Sequence, residues 1–312
     1  VNSKKQLLGS LTDGDIRKAI LDGQLELERI VNKKPVVINK SASTIQKIQL
    51  LKRIQRLHLP VVDDENNFIE IFTLDRVNFL RKPNWVFIMA GGLGSRLGEL
   101  TKDTPKPMLC VAGKPILERI IESFVKQGFV KFYLSVNYKK EMIKSYFKNG
   151  DDMGIEIKYI EEKKRLGTAG ALSLLEDKDD NPLLVINGDI LTSMDYNYLL
   201  DYHNNKKMVA TMCIREYSHS IPYGVIEIKD GEITSMTEKP EIKFNINTGV
   251  YVLDNDALDN IPRNAFYDMT TLLSTLMGDN FRVGVYQLKD YWIDVGRPDD
   301  FYKADCDLKS KS

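Results

Sequence analysis

The sequence predicts an α/β protein: a three-layer domain on a mixed, mostly parallel sheet, preceded by a small α+β module. Three observations carry this. From Trp85 onward, short apolar runs alternate with amphipathic stretches, as in βαβ units. The first of these runs, Trp85 to Ala90, leaves its strand through Gly91, Gly92 and Gly94. Lys82-Pro83-Asn84 punctuates the chain between two regions of different pattern, because proline fixes its own φ and restricts the residue before it. Two domains are expected, residues 1–82 and 84–312.

Composition narrows the function classes. With 44 basic and 44 acidic side chains in 312 residues, nothing favours nucleic acid or an anionic membrane as partner. The three cysteines, Cys110, Cys213 and Cys306, are widely spaced and lack a CxxC pairing, which argues against a disulfide framework and a zinc site. His58, His203 and His219 sit in no ligand spacing, and no G-x-S-x-G elbow is present, so covalent catalysis is not expected. No apolar run approaches the roughly 20 residues of a membrane span, and no charged-then-apolar leader opens the chain. A cytoplasmic protein is expected. The chain begins at Val1 in what reads as the middle of a motif, so a longer protein is expected too.

In the first region, Leu7 to Ala19 reads as a short strand, a turn and a helix start capped by Thr12 or Asp13. Thr44 to Leu57 is amphipathic, with Ile45, Ile48, Leu51, Ile54 and Leu57 as its core face. Pro60–Asp63 and Phe68–Asp75 form a hairpin around residues 64–67. These stretches repeat one pattern, which resembles a pair of CBS motifs with the first incomplete. Such regulatory modules often bind adenine nucleotides, a G-x-x-T-x-x-D segment supplying a hydroxyl and a carboxylate. Gly9, Thr12 and Asp15 fit that segment, whereas the second copy has Glu70 and Arg76 in place of the glycine and aspartate. The resemblance implies a regulatory or dimerising module and a homo-oligomer.

The glycine loop opens the second region. Glycine lets peptide N–H groups face an anion without a Cβ in the way, and Arg96 and Lys106 add positive charge. A Walker A loop would continue Gly-Lys-Ser/Thr, but here Gly94-Ser95-Arg96 follows. A dinucleotide fingerprint needs a third glycine where Leu97 stands. What remains is Gly91-Gly92-Leu93-Gly94-Ser95-Arg96-Leu97 followed by Thr104-Pro105-Lys106-Pro107-Met108. Downstream, helices are expected over 114–127 and 140–147, strands over 131–137 and 155–160, and a helix opening at Leu166-Gly167-Thr168-Ala169-Gly170. A buried strand, Leu183 to Asn187, ends in Gly188-Asp189. Pro222-Tyr223-Gly224, a hairpin turning at Asp230-Gly231, Glu238-Lys239-Pro240, Asn247-Thr248-Gly249 opening a strand, and Trp292-Ile293-Asp294-Val295-Gly296 complete the set.

In this order the motifs resemble those of sugar-1-phosphate nucleotidylyltransferases, whose domain is Rossmann-like and of GT-A type. The resemblance implies that a sugar-1-phosphate oxygen attacks the α-phosphorus of a nucleoside triphosphate, giving a nucleotide sugar and pyrophosphate. It implies Ala90, Gly91, Gly92, Gly94, Ser95, Gly167, Thr168 and Ala169 at the nucleotide, Arg96 at the β/γ-phosphates, Lys106 at the α-phosphate and Lys239 at the attacking phosphate. Asn187, Tyr223, Gly224, Glu238, Asn247, Thr248 and Gly249 would line the sugar, and Asp189 and Asp294 would bind Mg²⁺. The ion is hard and uses one or two carboxylates plus substrate phosphate. Guanine offers two adjacent donors to a carboxylate, so Glu161 or Glu162 as base reader favours GTP over uridine, cytidine or thymidine donors. The combination, a CBS-type module before a nucleotidyltransferase domain, resembles bacterial guanylyltransferases that activate an aminosugar phosphate for surface or flagellar glycans. A catalytically silent nucleotide-sugar sensor is the reading from another class.

Overall fold

The computed structural model describes residues 1–23, 26–42, 44–54, 56–73, 81–92, 94–176 and 178–310. Asp75, Arg76 and Leu93, named above, lie outside these residues, as does the side chain of Ile45. The chain divides into two compact units, Val1–Lys82 with Asn149–Glu156, and Pro83–Lys148 with the chain from Ile157 onward.

The first unit holds α1 (Asp13–Leu21), α2 (Leu27–Ile30), β1 (Ile38–Asn39), α3 (Thr44–Ile54), β2 (His58–Val62) and β3 (Phe68–Thr73). Its sheet runs β1-β2-β3, with β1 parallel and β3 antiparallel to β2. Thr12 caps α1 in a reciprocal box: its hydroxyl accepts from the Asp15 N–H while the Asp15 carboxylate accepts from the Thr12 N–H. The carboxylate also accepts from the Thr12 hydroxyl at 2.6 Å. Helix-start chemistry therefore accounts for the T-x-x-D spacing. The strand expected at Leu7–Ser10 reduces to single bridges, Gln6 to Asn67 and Ser10 to Asn32. Leu57, expected in the core, is 53% exposed, because α3 ends at Ile54 and Leu57 falls beyond the helix whose face would bury it. Ile48 and Leu51 are buried as expected.

The second unit contains β4 (Lys82–Met89), β5 (Cys110–Val111), β6 (Lys114–Pro115), α4 (Ile116–Val125), β7 (Phe129–Val136), α5 (Lys140–Phe147), β8 (Glu156–Glu161), α6 (Gly167–Gly170) and β9 (Leu183–Asn187). Then come β10 (Ile190–Thr192), α7 (Tyr196–Lys206), β11 (Ala210–Ser220), β12 (Val225–Lys229), β13 (Glu232–Thr237), β14 (Glu241–Leu253), α8 (Asn255–Asp259), α9 (Met269–Gly278), β15 (Val283–Gln287), β16 (Trp292–Asp294) and α10 (Pro298–Lys309). Seven strands form the central sheet in the order β15-β11-β14-β9-β4-β7-β8. β9 runs parallel to β4 and β15 parallel to β11, while β14 is antiparallel to both β9 and β11. The sheet is thus mixed and mostly parallel. Its middle strands read as continuous apolar runs because both faces are covered: Val86, Phe87, Ile88, Leu184, Val185 and Ile186 are fully buried.

The strand ends that matter lie level with one another. Ala90 N–H donates to the Ser135 carbonyl at 2.9 Å, Glu162 N–H to Val136 at 3.0 Å, and Gly188 N–H to Met89 at 2.9 Å. The loops after β4, β7, β8 and β9 therefore leave one edge of the sheet, where α/β proteins place their ligands. On one flank, Phe124 of α4 stacks on Tyr196 with centroids 3.7 Å apart, and Phe129 and Phe132 meet Phe124 edge-on. Replacing Phe124 with alanine should cost about 3–5 kcal/mol, since the surrounding rings cannot collapse into the space. Denaturant unfolding of the second unit should show that loss.

Candidate active site

The glycine loop is shaped by its contacts. Gly94 has φ 67°, and a Cβ there would lie 2.8 Å from Thr101 Cγ2 and 3.0 Å from Lys106 Cβ. Thr101 Oγ1 donates to the Gly94 carbonyl at 3.0 Å. Only glycine allows this closure, after which short 3₁₀ turns at Ser95–Thr101 and Lys106–Met108 carry Arg96 and Lys106 back to the sheet edge. Gly91, Gly92, Gly94, Ser95, Arg96 and Lys106 line a cleft of about 470 Å³, together with Glu162, Gly167, Thr168, Asn187 and Asp189. Ala90 and Ala169 are buried just beneath, so they support the cleft without lining it.

The two aspartates meet through strand pairing. β10 and β16 form a two-stranded antiparallel sheet in which Ile190 faces Asp294, and Val295 N–H donates to the Asp189 carbonyl at 3.0 Å. Burial, and then the Asp189 charge, push the Asp294 carboxyl up to about 6, against the opposing pull of Lys106 and Arg96. Lys106, itself 7% exposed, is ion-paired to Asp189 Oδ2. The other oxygen of Asp189, one oxygen of Asp294 and the amide oxygen of Asn187 are buried without a hydrogen-bond partner. Two carboxylates and an amide oxygen left open beside a phosphate-sized space match a hard divalent cation such as Mg²⁺.

On the opposite wall the paired glutamates separate. Glu161 lies outside the cleft, its carboxylate held by Lys140 and Lys144, which draw its pKa down to about 2. Glu162, the first residue past β8, carries on the alternation of the strand, turns the other way and lines the cleft. It accepts from the Ser135 hydroxyl and, at 3.3 Å, from the Leu166 N–H. The segment Phe266-Tyr267-Asp268 clasps α6: Tyr267 N–H donates to the Leu166 carbonyl at 2.8 Å, Ala169 N–H to Tyr267 at 2.9 Å, and Thr168 N–H to the Asp268 carboxylate at 3.1 Å. Phe266 and Asp268 line the cleft, as do Asn137 and Arg165. None of these four was singled out from the sequence. Asn137 and Arg165 stood beside recognised features, whereas nothing local marks Phe266 or Asp268.

The sugar-side motifs divide into two groups. Asn247-Thr248-Gly249 does not open a strand, as expected, but sits inside β14 where its register with β11 shifts between Met212 and Ile214. Such an irregularity re-aims a strand. Thr248 donates from its hydroxyl to the Cys213 carbonyl and accepts from the Trp292 indole N–H, both at 2.9 Å. Gly249 has φ 75°, and a Cβ there would lie 2.6 Å from Asn187 Nδ2, so this segment packs against the strand that leads to Asp189. Tyr223, Gly224, Glu238 and Lys239 are gathered elsewhere, at the elbow between the β11/β14 and β12/β13 ladders, where Lys239 N–H donates to the Tyr223 carbonyl at 3.3 Å. They are exposed and do not line the cleft.

Residues 86–311 match the nucleotidyl transferase family. The chain belongs to that family. A mannose-1-phosphate guanyltransferase of Gibberella zeae is 31% identical over 229 residues, covering 70% of this chain and 62% of that protein. A mannose-1-phosphate guanylyltransferase of Mycobacterium tuberculosis is 30% identical over 227 residues, covering 71% and 63%. The chain thus spans about three-fifths of the length of these relatives. Among solved structures, HddC from Yersinia pseudotuberculosis in complex with GMP-PN superposes with a TM-score of 0.56 at 28% identity, covering 72% of this chain and 99% of that one. The family match covers residues 86–311, and none of these comparisons shows the CBS resemblance of the first unit.

One consequence of the paired acids is measurable without substrate. Asp294 binds its proton more tightly folded than at its ordinary 3.8. Its contribution to stability is therefore full below about pH 4 and lost as pH rises through about 6. Asp294→Asn should raise the thermal midpoint of the metal-free protein at pH 7 and leave it little changed at pH 4. Calorimetry at the two pH values checks this.

Proposed function

We propose that this nucleotidyl transferase acts in the cytoplasm, transferring the nucleotidyl group of GTP to a sugar 1-phosphate with release of pyrophosphate. The observation that carries the reading is the pair of open oxygens on Asn187 and Asp189, which line one cleft with Lys106 and the glycine loop, together with the open oxygen of Asp294 brought beside Asp189 by strand pairing. Relatives named as mannose-1-phosphate guanylyltransferases and a neighbour solved with GMP-PN support the donor. Phosphate is already an adequate nucleophile, so no general base is required. The protein must instead relieve repulsion between two anions, align them and stabilise charge on the transferring phosphoryl group.

Asp189 and Asp294, with Asn187 beside them, would hold Mg²⁺, which supplies charge neutralisation at the phosphates. Loop N–H groups and Arg96 hold the β/γ-phosphates. Lys106 Nζ, already at the Asp189 carboxylate, is the cation at hand for the α-phosphate. Glu162 reads the base. Each of its oxygens accepts one internal hydrogen bond and keeps a lone pair for the guanine N1–H and amino group. Lys239 on the attacking phosphate, with Tyr223, Gly224 and Glu238 on the sugar, is proposed on family resemblance. Asn247, Thr248 and Gly249 gain support from their packing on Asn187.

Mannose 1-phosphate is the first acceptor to test, because the relatives are named for it. An aminosugar 1-phosphate destined for surface or flagellar glycans rests on the resemblance of residues 1–82 to CBS-linked members. An adenine nucleotide at that unit would have to displace the Thr12–Asp15 bonds that cap α1. The presence of both acids and of Arg96, Lys106 and Lys239 favours an enzyme over a silent sensor.

Lys106→Ala and Asp189→Ala should each lower turnover about a hundredfold or more, the usual cost of one transition-state contact, with an unchanged circular dichroism spectrum. Pyrophosphate release with GTP, Mg²⁺ and mannose 1-phosphate reads this, and near-normal rates in either variant would refute the assignment. Glu162→Gln removes one of two acceptors and should raise the KM for GTP about tenfold, equivalent to one hydrogen bond to a charged group. A preference for UTP or CTP in the unmodified protein would reject guanine as the base.

A further inference from the structure

Among the described residues that line the cleft, Phe266 is the one large apolar side chain left bare, 61% exposed. Of the other apolar side chains there, Leu166 is fully buried and Met89 is partly buried against the core. The place of Phe266 is fixed by its neighbours rather than by its own packing. Tyr267 packs against the core, its N–H donates to the Leu166 carbonyl at 2.8 Å, and its carbonyl accepts from the Ala169 and Gly170 N–H groups at 2.9 and 3.0 Å. Asp268 accepts from the Thr168 N–H and hydroxyl. On the other side, Asn264 N–H donates to the Ser173 hydroxyl at 2.9 Å, and Gly170 leaves room for the Ala265 carbonyl where a Cβ would collide with it. Bonds before and after residue 266 thus hold a bare ring at the wall. Leu166 joins that ring to Glu162: its carbonyl takes the Tyr267 N–H, and its own N–H goes to the Glu162 carboxylate at 3.3 Å.

We propose that Phe266 is the platform on which the face of the nucleotide base lies while Glu162 takes the edge, an inference that rests on the reading of this cleft as the donor site. The base is the part of the two substrates that is flat and weakly hydrated on its faces. The phosphates have Arg96, Lys106 and the glycine loop as partners, and none of these needs an aromatic ring. Ring and carboxylate divide the work by their chemistry. A carboxylate distinguishes bases by the donors on their edges, whereas an aromatic ring stacks on any base, because every base has a π-face. Phe266 therefore supplies affinity without choice, and Glu162 supplies the choice. The bonds on either side of residue 266 set its backbone before the nucleotide arrives, so less ordering is left to be done on binding.

Calorimetric titration of the full chain with GTP, ITP, UTP or inorganic triphosphate, each with Mg²⁺ and without acceptor, tests this. Phe266→Ala should weaken GTP about tenfold, the lower end of the cost of one base–aromatic stack. ITP, which lacks the amino group that Glu162 would read, should weaken by the same factor. Inorganic triphosphate should bind the variant as it binds the unmodified protein, and Phe266→Trp should recover GTP. The position is exposed, so the fold should survive, as circular dichroism would show. In turnover assays the KM for the sugar phosphate should not move. Unchanged GTP binding, an equal loss of inorganic triphosphate, no recovery with tryptophan, or a rise confined to the acceptor KM overturns the platform. A preference for UTP in the unmodified protein rejects guanine alone; the platform then stands if Phe266→Ala weakens UTP about tenfold and falls if it does not. Binding of none of the nucleotides by the unmodified protein overturns both.

Discussion

The pairing of β10 with β16 is the constraint on which the site depends. It joins segments about a hundred residues apart and sets Ile190 opposite Asp294 one residue beyond Asp189. Two carboxylates are thereby forced together in a partly desolvated corner, a position that is unfavourable unless a cation shares it. Lys106 partly fills that need, and the oxygens it does not reach remain open. The cost of holding two acids together is what the proposed divalent ion would relieve.

The rest of the cleft is built outward from that corner by short-range locks. Trp292, two residues before Asp294, ties the β14 irregularity to the same strand pair through the Thr248 carbonyl. Gly249 then brings that segment against Asn187, next to Gly188 and Asp189. On the far wall, Glu162 joins the ends of β7 and β8 to the start of α6, and Tyr267 clasps α6 from the other side. The base side and the acid side are thus rigid separately, each fixed to the sheet by its own hydrogen bonds. Between them the glycine loop lines the floor of the same cleft.

The long ribbon obeys a different logic. Within the sheet β11 and β14 are buried on both faces, but beyond the register shift their side chains alternate between apolar and polar. The elbow residues Tyr223, Gly224, Glu238 and Lys239 belong to this outer part. Their distance from the cleft follows from the ribbon's course, which the packing of a single chain does not fix on its apolar side.

Much of this was legible from residues alone. Buried strands announce themselves as short apolar runs, and a loop that must turn without Cβ atoms announces itself as glycine, so β4, β9 and the cradle between them were plain. The sequence also supplied the types of group the proposed chemistry calls for, two aspartates, two or three cations and a carboxylate for the base. It could not say which of Glu161 and Glu162 faces inward, because that depends on strand phase, nor that Leu57 would fall beyond its helix. Asn247-Thr248-Gly249 read as a strand start because an irregularity inside a ladder has no signature of its own. Phe266 and Asp268 carried no signal, since they reach the cleft only by clasping a helix about a hundred residues earlier. Only the tertiary structure decided that Asp189 and Asp294 are neighbours, because sequence fixes the chemistry of each side chain while long-range strand pairing fixes the distances between them.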